Sequence, residues 1–167
     1  MADRLDHLVT RLKGEGQQTL AFFRALEPDK WAMQVYDVGP EWDVRQVLCH
    51  FVSAEQNLLR LFKSVAKGDE GAPADFNIDR FNAEDVVGMD TLQVDELLAQ
   101  FERTRASLVT FVQGLSEADL DRMGRHPYLG VVALEEMIKL IYRHNMLHQK
   151  DVRAVLRAGR PVMGNKA

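Results

Sequence analysis

His144 and His148 stand four residues apart in the segment Arg143-His144-Asn145-Met146-Leu147-His148, which carries helical periodicity. On a helix that spacing puts two side chains about 40° apart around the axis, so both imidazoles face one object. A metal ion is the obvious object, because neutral imidazole is a ligand for zinc, nickel, copper and iron. Two protein ligands do not complete a tetrahedral or octahedral site. The best third is His50, inside another helical segment far upstream. Three histidines would leave a position open for water or substrate, as catalytic sites do and closed structural sites do not. The same spacing also suits exposed histidines, or core histidines satisfied by hydrogen bonds.

Helical geometry sorts the neighbours of these histidines. Asn57 follows His50 by seven residues and so falls about 20° from it, whereas Cys49 points about 100° aside. Asn57 is therefore a candidate site residue, and Cys49 is not expected to be a nucleophile. Asp151 lies seven residues after His144 and three after His148. It can orient an imidazole or a metal-bound water, or simply form a surface ion pair. Glu55 points away from His50, and Arg143, about 100° from His144, reads as a solvated charge. His126 stands in a loop that could border a pocket, and His7 has no paired spacing.

The elements that must position these groups read as helices. Leu5, Leu8, Val9, Leu12, Leu20, Phe23 and Leu26 recur at helical spacing from residue 3 to about 27, weakened in the middle by Gly14 and Gly16 and ended by Pro28. The segment from there to Trp42 is too apolar for a free linker and should pack over one end of the core, with Trp42 beneath the second helix. Asp43 with Gln46 three residues on forms a capping-box pattern that opens this helix, which runs to about 67 and carries His50. Residues 68–89 form a long connection with one or two helical turns near 79–86. A third helix spans 94–114, with Glu102-Arg103-Thr104-Arg105 as a solvated face. Ser116 to Asp119 has the form of a short helical start, and 124–130 is a turn region. The fourth helix runs from about 133 to 157, with Glu135 and Glu136 at its positive end and Arg153 and Arg157 at the other. Gly159 and Pro161 stop it, and 161–167 reads as a frayed tail. No strand is expected. The fold class is all-α, a four-helix bundle in one domain over 1–160 with a long connection between helices 2 and 3.

Composition narrows the function classes. With 46% hydrophobic and 28% charged residues in 19.0 kDa, the chain is an ordinary globular one. A net charge of −4 and a pI near 5.7 give no overall basic surface for a nucleic-acid backbone. No stretch approaches the roughly 20 apolar residues of a membrane helix, and the first residues are polar. The single cysteine excludes an internal disulfide. A cytoplasmic location is the expectation.

Several motifs together point to a family. Trp42-Asp43-Val44-Arg45-Gln46-Val47-Leu48-Cys49-His50 combines with the His144/His148 segment near the end of an all-helical chain. Asp79-Arg80-Phe81-Asn82-Ala83 precedes the third helix, and His126-Pro127-Tyr128-Leu129-Gly130 precedes the fourth. This set resembles the DinB-like superfamily over nearly the whole chain. The resemblance implies a four-helix bundle, often a homodimer, with a divalent transition metal such as zinc or nickel held by His50, His144 and His148. Relatives include a mycothiol-dependent maleylpyruvate isomerase, other transferases of low-molecular-weight thiols and a metal-dependent hydrolase. The implied function is activation of a thiol cofactor or water for attack on a small electrophilic substrate. Its alternatives are a non-catalytic dimeric bundle, stress-related, with a structural metal or none, and a module that binds a small molecule without turning it over.

Overall fold

Asp43 opens the second helix as its sequence predicts. Its carboxylate accepts the Gln46 N–H at 2.7 Å while the Gln46 side chain accepts the Asp43 N–H at 3.1 Å. In the computed structural model, which describes residues 3–163, the order is α1 (Arg4–Arg24), α2 (Val44–Ala66), α3 (Ile78–Gly88), α4 (Val94–Gln113), α5 (Glu117–Leu120), β1 (Met123–His126), β2 (Gly130–Ala133) and α6 (Leu134–Ala158). The long helices α1, α2, α4 and α6 form the four-helix bundle. Both α1 and α2 pack on α4 and α6, so the first two helices stand across the bundle from each other. The connections 25–43 and 114–133 make the diagonal steps, whereas the long connection between the neighbours α2 and α4 carries α3 along α2.

The core has two apolar clusters. One gathers Phe23, Phe51, Phe101, Trp42 and Val152, and the other Leu12, Phe62, Leu108, Met137 and Ile141. Between them, on every long helix, lies a polar layer. Arg105 on α4 donates to Glu15 of α1 at 2.6 Å, to the Leu12 carbonyl at 2.8 Å and to Glu55 of α2. Gln149 of α6 donates to Thr19 at 2.6 Å, and Thr19 donates to Glu15 at 2.5 Å. Each charge is buried yet paired, the condition under which ions persist in an interior. Arg105 was expected on a solvated face; it is only 5% exposed.

Three further expectations need correction. Residues 123–133, read as turn without strands, form an antiparallel hairpin with Gly124 opposite Val132. A Cβ on Gly124 would come within 2.5 Å of Val65, so only glycine lets β1 lie so close to α2. The helical segment in the long connection has 11 residues rather than one or two turns, and its Asn77 cap accepts the Arg80 N–H. Val162, placed in the frayed tail, pairs with the 31–42 segment: its N–H donates to Val35 at 2.8 Å. Residues 164–167 of that tail lie outside the described residues.

Candidate metal centre

His50 comes from α2 and His144 and His148 from α6, and the three ring Nε2 atoms converge. His144 Nε2 lies 2.9 Å from His50 Nε2 and 3.1 Å from His148 Nε2. The Trp42 ring packs against His50 with centroids 4.7 Å apart. His50 and His148 are 3% and 6% exposed. Burial pushes the pKa of all three rings below the usual histidine value, that of His148 to about 3, so they are neutral near pH 7. Neutral rings are what a metal requires.

The outward nitrogens decide which way the lone pairs face. His144 Nδ1 lies 3.2 Å from the side-chain oxygen of Asn145. That amide is oriented by its other end, which donates to the buried Glu55 carboxylate at 3.0 Å. An amide oxygen accepts only, so the His144 proton is on Nδ1 and its Nε2 lone pair faces inward. His148 Nδ1 lies 2.5 Å from the Tyr36 hydroxyl, which donates to Asp151 at 3.1 Å. All three groups are satisfied when Tyr36 donates to Asp151 and accepts from His148 Nδ1–H. Burial, then the Asp151 charge, raises the Tyr36 pKa and keeps its proton in place. Two inward lone pairs 3.1 Å apart repel unless a cation lies between them. Zinc–nitrogen bonds of about 2.0–2.1 Å would space tetrahedral nitrogens about 3.3 Å apart, so the two pairs that His144 makes need part by only a few tenths of an ångström. The residues fit a divalent metal.

A cavity of about 340 Å³ adjoins the trio, and His50 and His144 line it. Its other walls include Leu58, Phe76, Phe81, Tyr128 and Leu140, with His126 from the end of β1. Burial, and then the nearby His144, lowers the His126 pKa to about 4.

Residues 11–152 match the sequence model of the DinB superfamily. The chain belongs to the DinB superfamily. Solved structures agree on the fold. YfiT from Bacillus subtilis, described as a probable metal-dependent hydrolase with an unusual four-helix bundle topology, has a TM-score of 0.73 at 20% identity, over 96% of this chain and 90% of its own. The mycothiol-dependent maleylpyruvate isomerase gives 0.74 at 16% identity over 91% of this chain, which spans only 63% of that enzyme. An uncharacterised protein from Escherichia coli UTI89 gives 0.72 at 13% identity, over 95% of this chain and 96% of that one. Among curated proteins no sequence match is found.

Within this DinB chain the other sequence candidates fall into different places. Asp151 reaches His148 through Tyr36 and not directly. Asn57 lines the cavity, but its amide is spent on Asp85 at 2.7 Å and its oxygen accepts from Arg60 at 2.8 Å. Cys49 is buried, and burial raises its pKa to about 11, so it stays a thiol. Glu55 lies in the polar layer and touches the site only through Asn145. Histidine spacing singles out neither Tyr36 nor Asn145. Asn145 had a usable signal, a polar residue on the buried stripe of α6. Tyr36 had none, because its role depends on how the 31–42 segment folds back.

Proposed function

We propose that this DinB protein is a metal-dependent enzyme in which Nε2 of His50, His144 and His148 hold one divalent transition metal, zinc or nickel, beside a binding site for a small apolar electrophile. The observation that carries this reading is the convergence of three Nε2 atoms, two with their outward nitrogens engaged, at the wall of an apolar cavity. A bound metal would supply Lewis acidity, lowering the pKa of a water or thiol toward neutrality. The protein's own groups hold the imidazoles neutral and oriented, and the cavity's aliphatic and aromatic side chains exclude bulk water from the electrophile.

Water is the nucleophile this cavity favours. Its walls offer a polar cofactor few partners beyond the histidines, Asn57, Arg60, Asn82 and Tyr128, and Asn57 and Arg60 are bonded to each other. Transfer to a low-molecular-weight thiol, as the isomerase's dependence on mycothiol suggests, is the second form of the same chemistry. A homodimer acting on a small molecule, as the family resemblance implies, completes the reading, with the cytoplasm as the location that the sequence composition suggests.

Zinc- and nickel-loaded protein incubated with 4-nitrophenyl acetate, with and without cysteine as thiol, tests it. Turnover should require the metal, vanish on chelation and vanish in His148→Ala; acceleration by cysteine would select the thiol form. Loaded protein that is no faster than metal-free protein would remove the catalytic reading.

A further inference from the structure

His126 closes β1 and is 4% exposed. Its Nδ1 receives two backbone N–H groups, from Tyr128 at 3.0 Å and Leu129 at 3.2 Å. A nitrogen that accepts carries no proton, and a protonated ring would set an N–H against both donors. The tight turn between the strands, closed by Gly130 at φ +75°, therefore fixes this histidine as the neutral Nε2–H tautomer. The depressed pKa of the buried ring agrees. Nε2 itself is buried and has no hydrogen-bond partner. Buried polar groups without partners are rare, and at a cavity wall they mark a bond left for something else to complete.

The ring lines the same cavity as His50 and His144. It is not in the three-histidine cluster, and a nitrogen bearing its proton is not a metal ligand. Walls built from Leu58, Leu61, Phe76 and Phe81 suit an apolar body. We propose that His126 Nε2–H is the hydrogen-bond donor that binds and orients the ligand, and that the ligand carries a carbonyl oxygen on an apolar body about the size of an aromatic ring. A fixed neutral donor aimed at a carbonyl also polarises it as negative charge develops on oxygen. The proposal rests on the cavity being the substrate site of the proposed enzyme; it does not require the metal.

Acetophenone and α-methylstyrene have nearly the same shape and differ in an acceptor oxygen against a methylene, so their relative affinity reads the donor. Binding is measured on the protein as purified and again after chelation. Wild type should prefer acetophenone roughly threefold to tenfold in both states, the range one net hydrogen bond gives. In His126→Asn the amide oxygen still accepts the two loop N–H groups, but no donor stands where Nε2 stood. This variant should keep its circular dichroism and metal content and lose the preference. A preference unchanged in the variant would overturn the proposal, as would a wild type that binds the two probes equally or binds neither. Loss of metal in the variant would overturn it too, by making His126 a metal ligand. Because the chelated protein is tested separately, failure of the metal reading leaves this result interpretable.

Discussion

Hydrogen bonds on the outward nitrogens set which ring nitrogen of His144 and His148 carries the proton. His144 is set by Asn145, itself set by Glu55, and His148 is set by Tyr36 and Asp151. Partners of this kind are worth about 10–100-fold in metal affinity. Tyr36→Phe removes the hydroxyl that connects His148 to Asp151 and leaves the ring in place, so zinc affinity, read by competition with a chromophoric chelator, should fall by about that factor. An unchanged affinity would mean that Tyr36 is only packing. At this scale much was legible from spacing, since i and i+4 put His144 and His148 together and the capped α2 positioned His50. The orienting groups were not legible. A hydrogen bond from a loop tyrosine to a helix histidine depends on the fold of residues 31–42, which helical periodicity does not describe.

The polar layer belongs to the scale of elements. Arg105 sits between Phe101 and Leu108, Glu55 between Val52 and Leu59, and Glu15 between Leu12 and Thr19, each in the buried stripe of its helix. A charged residue in an apolar stripe is thus the available signal, masked in α4 because Glu102 to Arg105 forms a run of polar residues. The layer also explains one of the two glycines of α1, Gly16. A Cβ on Gly16 would meet Arg105 Nη1 at 2.8 Å and Cγ at 2.9 Å, and Arg105 is pinned by two carboxylates, whereas nothing lies within 4 Å of Gly14. Gly14→Ala should therefore stabilise the protein by up to about 1 kcal/mol through helix propensity. Gly16→Ala should destabilise it by about 1–3 kcal/mol through overpacking. Urea unfolding of the pair checks the contrast, and equal effects would contradict the layer's rigidity. The β1–β2 hairpin is not legible in the sequence for another reason. Its strands have four residues each without clear alternation, too short for a period of two to emerge. Its role was partly legible, since His126 was placed near the pocket through its loop, while its fixed tautomer needed the turn geometry.

At the scale of the whole molecule, the four long helices and the long connection were legible because apolar residues recur at helical spacing along each long helix and α2 has an explicit cap. The order of helices around the bundle was not. Periodicity says that a face is buried and not against which helix, and a connection as long as 68–93 permits either neighbour. The observed order, with α2 and α6 adjacent, brings His50 to His144 and His148 and covers them with the 31–42 segment, itself held by Val162. Among the described residues no helix is long and apolar enough to cross a membrane. The central claim is that this convergence is a metal site. The direct measurement is metal content by mass spectrometry of protein purified without a nickel column and incubated with zinc, for wild type and His144→Ala. The account predicts about one equivalent per chain in wild type and less than about a tenth in the variant. Less than about a tenth in wild type, or an equal content in both, would contradict it.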